Sequence, residues 1–411
     1  MIRSVCLGVA DKHLINNTDK VVVENFVTHV ESAIKNTDCA VQTIRLTLSP
    51  LAIKGYGLNS LNNFVETISN ITNNSGIRWF CLPINVYGAK FSEMDINIIA
   101  HLLNRYDNLF VNIIPTKNHT IDINALKETA EIITCIARSS ANGSNCFRVG
   151  VSANAGPNTP FFPFSYHEGN ACFTIALETN KIAIDVLNNA HNITFDEFET
   201  KFVNNVIAAL RKVHRFSEQV SQMSSVRFGG VDVSLAPFPD GKNSVAKVIE
   251  LLGKTSVGGP GSVGITAYLT NLIQKTVDDY GMKRVGFNGV MYSVMEDNML
   301  AEQSMSGVLT LEKLMLLSSV CGCGIDMVPI SGLTTANTIS SYLLDMSAMA
   351  MRLQKPLGTR FLPIPGKLAG EITDINGDFI CNTRILHTNQ KSIVAPIDSL
   401  NELKIIGGFN G

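Results

Sequence analysis

The sequence predicts a soluble α/β protein built around a parallel barrel, and three observations lead to that prediction. Short β-rich runs alternate with longer helical patterns, the predicted strands are nearly continuous apolar runs, and the 411-residue chain is 45% apolar but only 17% charged. The alternation favours parallel strands joined by helical crossovers. Apolar strands are expected where both faces of a sheet are covered. A closed α/β barrel accommodates a chain of this length as one domain.

The first part of the chain alternates strictly between strand and helix. Five short apolar runs are predicted strands: Ser4–Val9, Thr43–Leu48, Arg78–Leu82, Leu109–Ile114 and Phe147–Ser152. Between them lie four segments with apolar residues at helical spacing: Val21–Lys35, Leu58–Thr72, Asp95–Tyr106 and Ile123–Ser140. This order predicts one parallel run of five strands.

The second part repeats the pattern with more glycine. Its predicted strands are Cys172–Glu178, Phe228–Leu235, Val285–Val294, Arg360–Pro365 and Phe379–Leu386. Its predicted helices are Thr194–Phe216, Ser244–Leu252, Gly261–Tyr280, Leu309–Val320 (which leads into Cys321–Pro329) and Thr334–Leu353. Because no low-complexity linker interrupts the chain, we expect one domain over residues 1–411, with approximate halves 1–155 and 156–411.

Composition excludes several functional classes. The net charge is −2, from 33 basic and 35 acidic residues, so no nucleic-acid or anionic membrane partner is expected. The nine cysteines form no tight framework, which is typical of reduced thiols. The N-terminal apolar stretch is too short for a signal peptide, and no run of about 18 apolar residues predicts a membrane span. We therefore expect a cytoplasmic protein.

Four polar loops, most of them after predicted strands, contain the candidate site residues, because the carboxyl ends of parallel strands meet at one face. The first loop is Ser152–Gly169. It offers Asn154 as an amide ligand, and His167 and Glu168 as proton-transfer groups or metal ligands. The alternative is a packed loop in which His167 binds a backbone group.

The second and third loops offer a carboxylate and a glycine-rich turn. Asp232 and Ser234 share one face of a strand, and a carboxylate in an apolar strand must be paired, protonated or metal-bound. A structural hydrogen bond to a neighbouring loop is the alternative. Gly259 and Gly261 precede a helix and could present backbone N–H groups to an anion. A tight connection between elements is the alternative there.

The fourth region joins Gly286–Glu302 to Cys321–Asp326. Glu296 and Asp297 are adjacent, so only one of them is expected to point into a site. Cys321 is a candidate nucleophile if its pKa is lowered, and otherwise a buried inert thiol. Asp326 needs a partner if it is buried.

These loops also carry a resemblance to a known family. The segments Gly230–Gly253, Gly286–Glu302 and Leu311–Ile330 resemble the domain-of-unknown-function family 711, also called uncharacterised protein family 0210, and Ala153–Gly169 and Lys355–Thr373 resemble its longer branch. The resemblance implies the fold of glycyl-radical enzymes of the pyruvate formate-lyase type. That fold is a ten-stranded α/β barrel of two parallel five-stranded halves set antiparallel, with an inner finger loop that carries a cysteine. By position in the pattern, Cys321 is the candidate. A TIM-like barrel is the alternative fold.

The C-terminus argues against radical chemistry. Glycyl-radical enzymes carry an Arg-Val-x-Gly-aromatic signature there, and the nearest match in this chain, residues 404–409, has no arginine. Chain ends also fray, which would leave a radical unprotected. We therefore carry over the barrel and not the radical, and we expect a homodimer from the resemblance and from the frequency of symmetric dimers.

Two functions follow as expectations. The first is an enzyme acting on a small polar anionic metabolite in the barrel interior, with His167 or Glu168 as acid/base, Cys321 as nucleophile or proton donor, and Asn154, Asp232 and Arg360 orienting the ligand. The second is a non-catalytic regulatory protein that binds a metabolite or a cation, with Asp232, Glu296 and Asp326 holding calcium or magnesium. A third hypothesis is a structural scaffold protein that binds no small ligand. Both main expectations require the loop residues to meet around one enclosed cavity.

Overall fold

The central element of the fold is a nine-stranded mixed sheet, observed in a computed structural model that describes residues 1–10, 18–53, 57–189, 193–389 and 400–408. The strands in chain order are β1 (Ile2–Gly8), β2 (Val41–Thr47), β3 (Trp79–Asn85), β4 (Leu109–Ile114), β5 (Thr116–Lys117), β6 (Thr120–Asp122), β7 (Val149–Ala153), β8 (Cys172–Glu178), β9 (Arg227–Ser234), β10 (Gly324–Ser331), β11 (Leu357–Ile364) and β12 (Glu402–Lys404). The large sheet has the order β10-β11-β7-β4-β3-β2-β1-β8-β9, and β12-β6-β5 form a separate small sheet.

Parallel strands in the large sheet meet at two antiparallel contacts. Strands β1, β2, β3, β4 and β7 run parallel to one another, as do β8 with β9 and β10 with β11. Strand β8 is antiparallel to β1, and β11 is antiparallel to β7. The prediction of an α/β fold with a mostly parallel sheet is confirmed. The TIM-like alternative is wrong, because all strands of such a barrel are parallel.

Among the described residues, isolated bridges through an intervening segment are the only connection between β9 and β10, the edges of the sheet. The segment 284–294, predicted as a strand over Val285–Val294, bridges to β9 through Arg284 and Val290 and to β10 through Ser293. It forms no continuous ladder, because Gly286 and Asn288 have left-handed backbones with φ of 74° and 47°. The described sheet is therefore unclosed, and the ten-stranded barrel is not confirmed.

Helices lie between most of the strands. They are α1 (Thr18–Thr37), α2 (Leu58–Ser75), α3 (Glu93–Arg105), α4 (Ile123–Ser139), α5 (Asn180–Asn188), α6 (Phe195–Ser224), α7 (Val245–Gly253), α8 (Ser262–Tyr280), α9 (Asn298–Met305), α10 (Leu311–Ser318) and α11 (Ala336–Arg352). The sequence predictions omitted the short helices α5 and α9 and the small sheet. They also assigned a strand to Phe379–Leu386, where the structure has only isolated bridges.

The two faces of the large sheet differ in polarity. Successive side chains along a strand point to opposite faces. Val5 and Leu46 belong to the main apolar core that the helices cover. Ser4, Arg45 and Asn112 alternate with such residues and are also buried. The face that carries Ser4, Arg45 and Asn112 is called the inner face. It contains buried polar groups that need partners.

Two bulk properties bear on the sequence predictions. Within the described ranges, no helix combines the length and apolar content that crossing a bilayer requires. Each of the nine cysteines is a free thiol. That state is the one expected from their scattered positions.

Asp297 fixes two helices at once. Its buried carboxylate accepts hydrogen bonds from the N–H groups of Val245 and Ala246 at the start of α7, at 2.7 and 3.2 Å. It also accepts from the N–H groups of Met299 and Leu300 at the start of α9, at 3.1 and 3.3 Å. A carboxylate at a helix N-terminus satisfies donors that have no partner within the helix.

We expect Asp297→Ala to lower the free energy of unfolding by about 3–5 kcal/mol, because it leaves several buried N–H groups without an acceptor. Urea unfolding measures the change. The control is Asp95→Ala, which removes an exposed capping carboxylate from α3 and should cost only about 1 kcal/mol. Equal losses for the two variants would contradict this account.

Candidate functional site

The β7–β8 loop, residues 154–171, lies across the inner face of the large sheet. The Ser4 hydroxyl of β1 donates to the carbonyl of Pro160 at 2.8 Å. The Asn112 amide of β4 donates to the carbonyl of Ser165 at 3.3 Å. The Cys81 thiol of β3 lies 3.3 Å from the same carbonyl. Inner-face side chains of three strands therefore hold the loop in place.

Glycines on the strands make room for this loop. A Cβ atom at Gly150 would lie 2.5 Å from the Pro163 ring, and one at Gly358 would lie 2.7 Å from the Phe164 ring. A Cβ at Gly8 would collide with the imidazole of His167. Close packing at these positions excludes any larger side chain.

His167 joins the two arms of the β7–β8 loop. Its Nδ1 lies 2.7 Å from Oδ1 of Asn158, and its Nε2 lies 3.0 Å from the carbonyl of Gly169. Burial lowers the pKa of this imidazole. Both ring nitrogens have partners within the loop, which is the structural alternative that the sequence left open.

A small cavity lies between the β7–β8 loop and the inner face of the sheet. Its volume is about 40 Å³. Its walls are aromatic and charged: Arg3, Arg45, Trp79, Phe110, Phe147, Phe161, Phe162, Phe164, Ala236, Pro237, Met291, Ser293, Glu296, Asp326, Arg360 and Phe379. Most of the lining residues come from the strands β1, β2, β3, β4, β10 and β11, from the β7–β8 loop and from the segment 284–294.

Arg360 organises the acidic side of this cavity. Its Nε and Nη2 donate to the two oxygens of Asp326 at 2.6 and 2.8 Å, and Nη2 also lies 3.2 Å from Oε2 of Glu296. The Ser293 hydroxyl donates to the same Oε2 at 2.6 Å. Burial raises the pKa of the Asp326 carboxyl, and Arg360 opposes that rise.

Arg45 forms the basic side of the cavity. Among the described residues, no carboxylate lies within ion-pair distance of its guanidinium, whereas Arg3 pairs with Glu178 at 3.3 Å. The Arg45 guanidinium donates to the Thr43 hydroxyl at 3.0 Å and to the Pro160 carbonyl at 3.4 Å. Burial lowers the pKa of Arg45 to about 9.

Two aromatic rings enclose the Arg45 guanidinium. Its central carbon lies 5.1 Å from the ring centre of Trp79 and 5.2 Å from that of Phe162. Rings stabilise the positive charge through their faces. They offer no hydrogen-bond acceptor to the N–H groups in the guanidinium plane.

The structure does not bring all the predicted site residues to one cavity. Glu296, Asp326 and Arg360 line the cavity together. The adjacent Asp297 turns away to cap its two helices, so only one acid of that pair lies in the site, as expected. Gly259 and Gly261 lie in the turn between α7 and α8 and do not line the cavity.

Asp232 and Ser234 serve a different contact. The Asp232 carboxylate accepts from the N–H groups of Phe287 and Asn288 at 2.6 and 3.0 Å, and from the Ser234 hydroxyl at 2.6 Å. Burial raises the pKa of Asp232 to about 6, and these hydrogen bonds oppose the rise. The pair therefore fastens the segment 284–294 to β9.

Asn154 and Glu168 line a second cavity, of about 390 Å³. It is bordered by residues at the carboxyl ends of β3, β4 and β7, including Asn85, Ile114 and Ser152. The two predicted ligand and acid–base residues of this loop are thus separated from Glu296.

Cys321 is not on the loop that lies on the inner face. It is buried in the turn before β10, where its sulfur accepts from the N–H of Gly324 at 3.2 Å and its carbonyl accepts from the ammonium of Lys355. The sequence predicts Cys321 on an inner finger loop, but the loop observed on the inner face of the described sheet is the β7–β8 loop, residues 154–171, which contains no cysteine. Cys321 is also absent from the cavity lining. Its predicted chemistry stays a prediction.

The sequence predicts that Asp232, Glu296 and Asp326 hold a cation, and the structure does not bring these three carboxylates together among the described residues. The Arg360 guanidinium lies between Glu296 and Asp326, where a shared cation would bind. The Asp232 carboxylate accepts hydrogen bonds from the N–H groups of Phe287 and Asn288. Among the described residues, no group of three or more histidine, cysteine or acidic side chains is placed to hold a metal ion.

Sequence reasoning missed Arg3, Arg45 and Trp79. The pattern that singled out Asp232, a charged residue inside an apolar strand, applies equally to Arg45 in the predicted strand Thr43–Leu48. Arg3 precedes the predicted first strand by one residue. No pattern distinguishes Trp79 from an ordinary core residue.

Phe379 closes one side of the cavity. Its ring packs edge-on against Trp79 and Phe238, with ring centres 5.2 and 5.6 Å apart. The Arg78 guanidinium lies over both Phe379 and Trp79, at 4.8 and 4.6 Å. Phe379 belongs to no helix or strand of the fold, so its ring can be removed without breaking a sheet ladder.

Comparisons with known proteins identify similar chains. The model of the family described as "Uncharacterised ACR (DUF711)" matches residues 1–376. A UPF0210 protein of Pyrobaculum aerophilum is 28% identical over 92% of this chain and 88% of its own length. A UPF0210 protein of Methanospirillum hungatei is 30% identical over 81% of this chain and 76% of its own length.

One solved structure has a distant similarity. The crystal structure of the anaerobic ribonucleotide reductase from Thermotoga maritima with citrate in the active site aligns with a TM-score of 0.41 and 9% identity. The alignment covers 88% of this chain and 79% of that one. A similarity of this size supports no functional conclusion.

We expect Phe379→Ala to increase the quenching of Trp79 fluorescence by acrylamide, because the ring shields the one tryptophan of the chain. The loss of a half-buried ring should cost only about 1–2 kcal/mol of stability. The control is Phe195→Ala, which removes an exposed ring packed edge-on against Tyr268. If both variants are quenched like the wild type, Phe379 does not close the cavity.

Proposed function

Because the chain belongs to the DUF711 family, which is described only as uncharacterised, we propose its function from the cavity: it is an enzyme that binds a small anionic metabolite beside Arg45. The site uses Arg45 to hold the anion and Glu296 to exchange a proton with it. No step requires a glycyl radical.

The observation that carries this proposal is the buried guanidinium of Arg45. A guanidinium has five N–H donors. The Arg45 guanidinium donates two hydrogen bonds to described residues. Burying a charge without a counter-ion is costly. A bound anion supplies the missing acceptor atoms and the opposite charge, and a carboxylate or phosphate fits the planar edge of the guanidinium.

Glu296 is the proton-transfer group of the proposed site. Its Oε2 is held by Ser293 and Arg360, and Oε1 has no hydrogen-bond partner among the described residues. In the proposed reaction Oε1 accepts a proton from the ligand and later gives a proton to the product, so Glu296 is regenerated. Glu296 thereby takes the role that the sequence assigned to His167 and Glu168.

The proposal extends to the fold around the cavity. The segment 284–294 serves as a tenth strand that closes the sheet, since its bridges reach β9 through Arg284 and Val290 and β10 through Ser293. Five parallel strands in each run, set antiparallel, then enclose the β7–β8 loop as the finger loop. This loop presents phenylalanines rather than a cysteine to the cavity.

The alternative is a non-catalytic binding protein that uses the same anion site for regulation. The small volume of the cavity, about 40 Å³, suits it equally. The cation form of this alternative is less favoured because Arg360 already neutralises part of the charge on Glu296 and Asp326.

We expect Arg45→Met to weaken anion binding by about 10- to 100-fold, because it removes a charge-assisted hydrogen bond worth about 1.5–3 kcal/mol. Trp79 is the reporter, with sodium iodide as an anionic quencher and acetate as a competing anion. The anion affinity of Arg45→Lys should lie between those of the wild type and Arg45→Met, since lysine keeps the charge and loses the planar edge.

The control is Arg105→Met, which removes an exposed arginine that also lies over an aromatic ring, that of Tyr106. It should behave as the wild type. If Arg45→Met leaves iodide quenching and acetate competition unchanged, the proposed anion site is wrong.

Turnover separates the enzyme from the binding protein. We expect proton NMR of a mixture of small carboxylic and phosphorylated metabolites to show a compound consumed by the wild type and spared by Arg45→Met. Binding with no consumption across the mixture favours the non-catalytic alternative.

A further inference from the structure

The charges around the cavity leave one positive and one negative group without full compensation. Arg3 and Glu178 form a buried pair. Arg360 is shared by two carboxylates, those of Asp326 and Glu296. This group of three therefore has a surplus of one negative charge, while Arg45 has one positive charge and no carboxylate partner among the described residues.

The surplus negative charge has a free oxygen at the cavity. Both the Ser293 hydroxyl and the Arg360 guanidinium contact Oε2 of Glu296. The Glu296 side chain is 13% exposed and lines the cavity, whereas Asp326 is 4% exposed and engages Arg360 with both oxygens. Glu296 is thus the carboxylate that can accept a further hydrogen bond.

The two uncompensated groups, Arg45 and Glu296, line the same small cavity of about 40 Å³. After burial, which lowers it most, the pKa of Arg45 responds to nearby charges: Arg3 lowers it and Glu296 raises it. A simple anion would neutralise Arg45 and leave Glu296 with unsatisfied acceptor capacity in a buried site.

We propose that the ligand is a small zwitterionic amino acid, with its carboxylate on Arg45 and its ammonium on Oε1 of Glu296. A molecule with both groups satisfies both sides of the cavity and leaves the net charge of the buried site unchanged. The small volume favours amino acids with a short side chain. This inference rests on the proposed function, and the proton that Glu296 accepts is then an ammonium proton, which leaves a neutral amine.

Calorimetric titration of the full chain with three matched probes tests this inference. Glycine carries both groups, acetate carries the carboxylate alone, and methylammonium carries the ammonium alone. We expect glycine to bind at least about tenfold more tightly than acetate, as one additional charge-assisted hydrogen bond implies. Methylammonium should not bind measurably.

Variants assign the two ends of the ligand. Glu296→Gln should abolish the preference for glycine over acetate, whereas Arg45→Met should weaken the binding of both. Glu302→Gln, an exposed glutamate outside the cavity lining, is the control. Glu296→Asp withdraws the carboxylate by one methylene and should shift the preference from glycine toward the longer β-alanine, a gain that misfolding cannot produce.

The outcomes distinguish this inference from the proposed function. If acetate binds as tightly as glycine and Arg45→Met weakens the binding of both, the anion site stands and the zwitterion is wrong. If neither probe binds and Trp79 quenching by iodide does not depend on Arg45, both are overturned. An unchanged preference for glycine in Glu296→Gln also overturns the assignment of the ammonium.

Discussion

The packing of the β7–β8 loop against the inner face of the sheet is the constraint on which the rest of the structure depends. Ser4, Cys81 and Asn112 bind its carbonyl groups, and Gly150 and Gly358 leave room for its rings. Because the loop fills this space with phenylalanine and proline, the remaining cavity is small and walled by aromatic rings. Charges that face this cavity are removed from water. Burying a guanidinium without a charged partner is therefore costly.

Much of the fold could be predicted because it depends on local periodicity. The strands of the first parallel run and the long helices follow apolar spacing, which the sequence displays directly. The interruption between the sheet edges β9 and β10 could not be predicted in this way. The segment 284–294 has the composition of a strand, but left-handed residues at Gly286 and Asn288 interrupt its ladder. The short α9 depends on Asp297, whose partners on α7 are more than 50 residues away.

The candidate site was predictable only in part, because its charges pair across the fold. Arg360, Glu296 and Asp326 were expected to be functional and do meet, but the pairing of the arginine with both acids is set by tertiary contacts. The sequence predicts that His167 exchanges protons. In the structure both of its ring nitrogens are hydrogen-bonded, one to Asn158 and the other to Gly169. The role proposed for Arg45 depends on its having no carboxylate within ion-pair distance among the described residues, and a sequence cannot display such an absence among distant residues.

The central claim is that the partner of Arg45 is an anion from outside the chain. A crystal of the wild-type protein soaked in sodium bromide and measured at the bromine absorption edge tests it most directly. We expect an anomalous peak in the cavity within hydrogen-bond distance of the Arg45 guanidinium. A cavity without such a peak, in which Arg45 pairs with a carboxylate of its own chain, would contradict the claim.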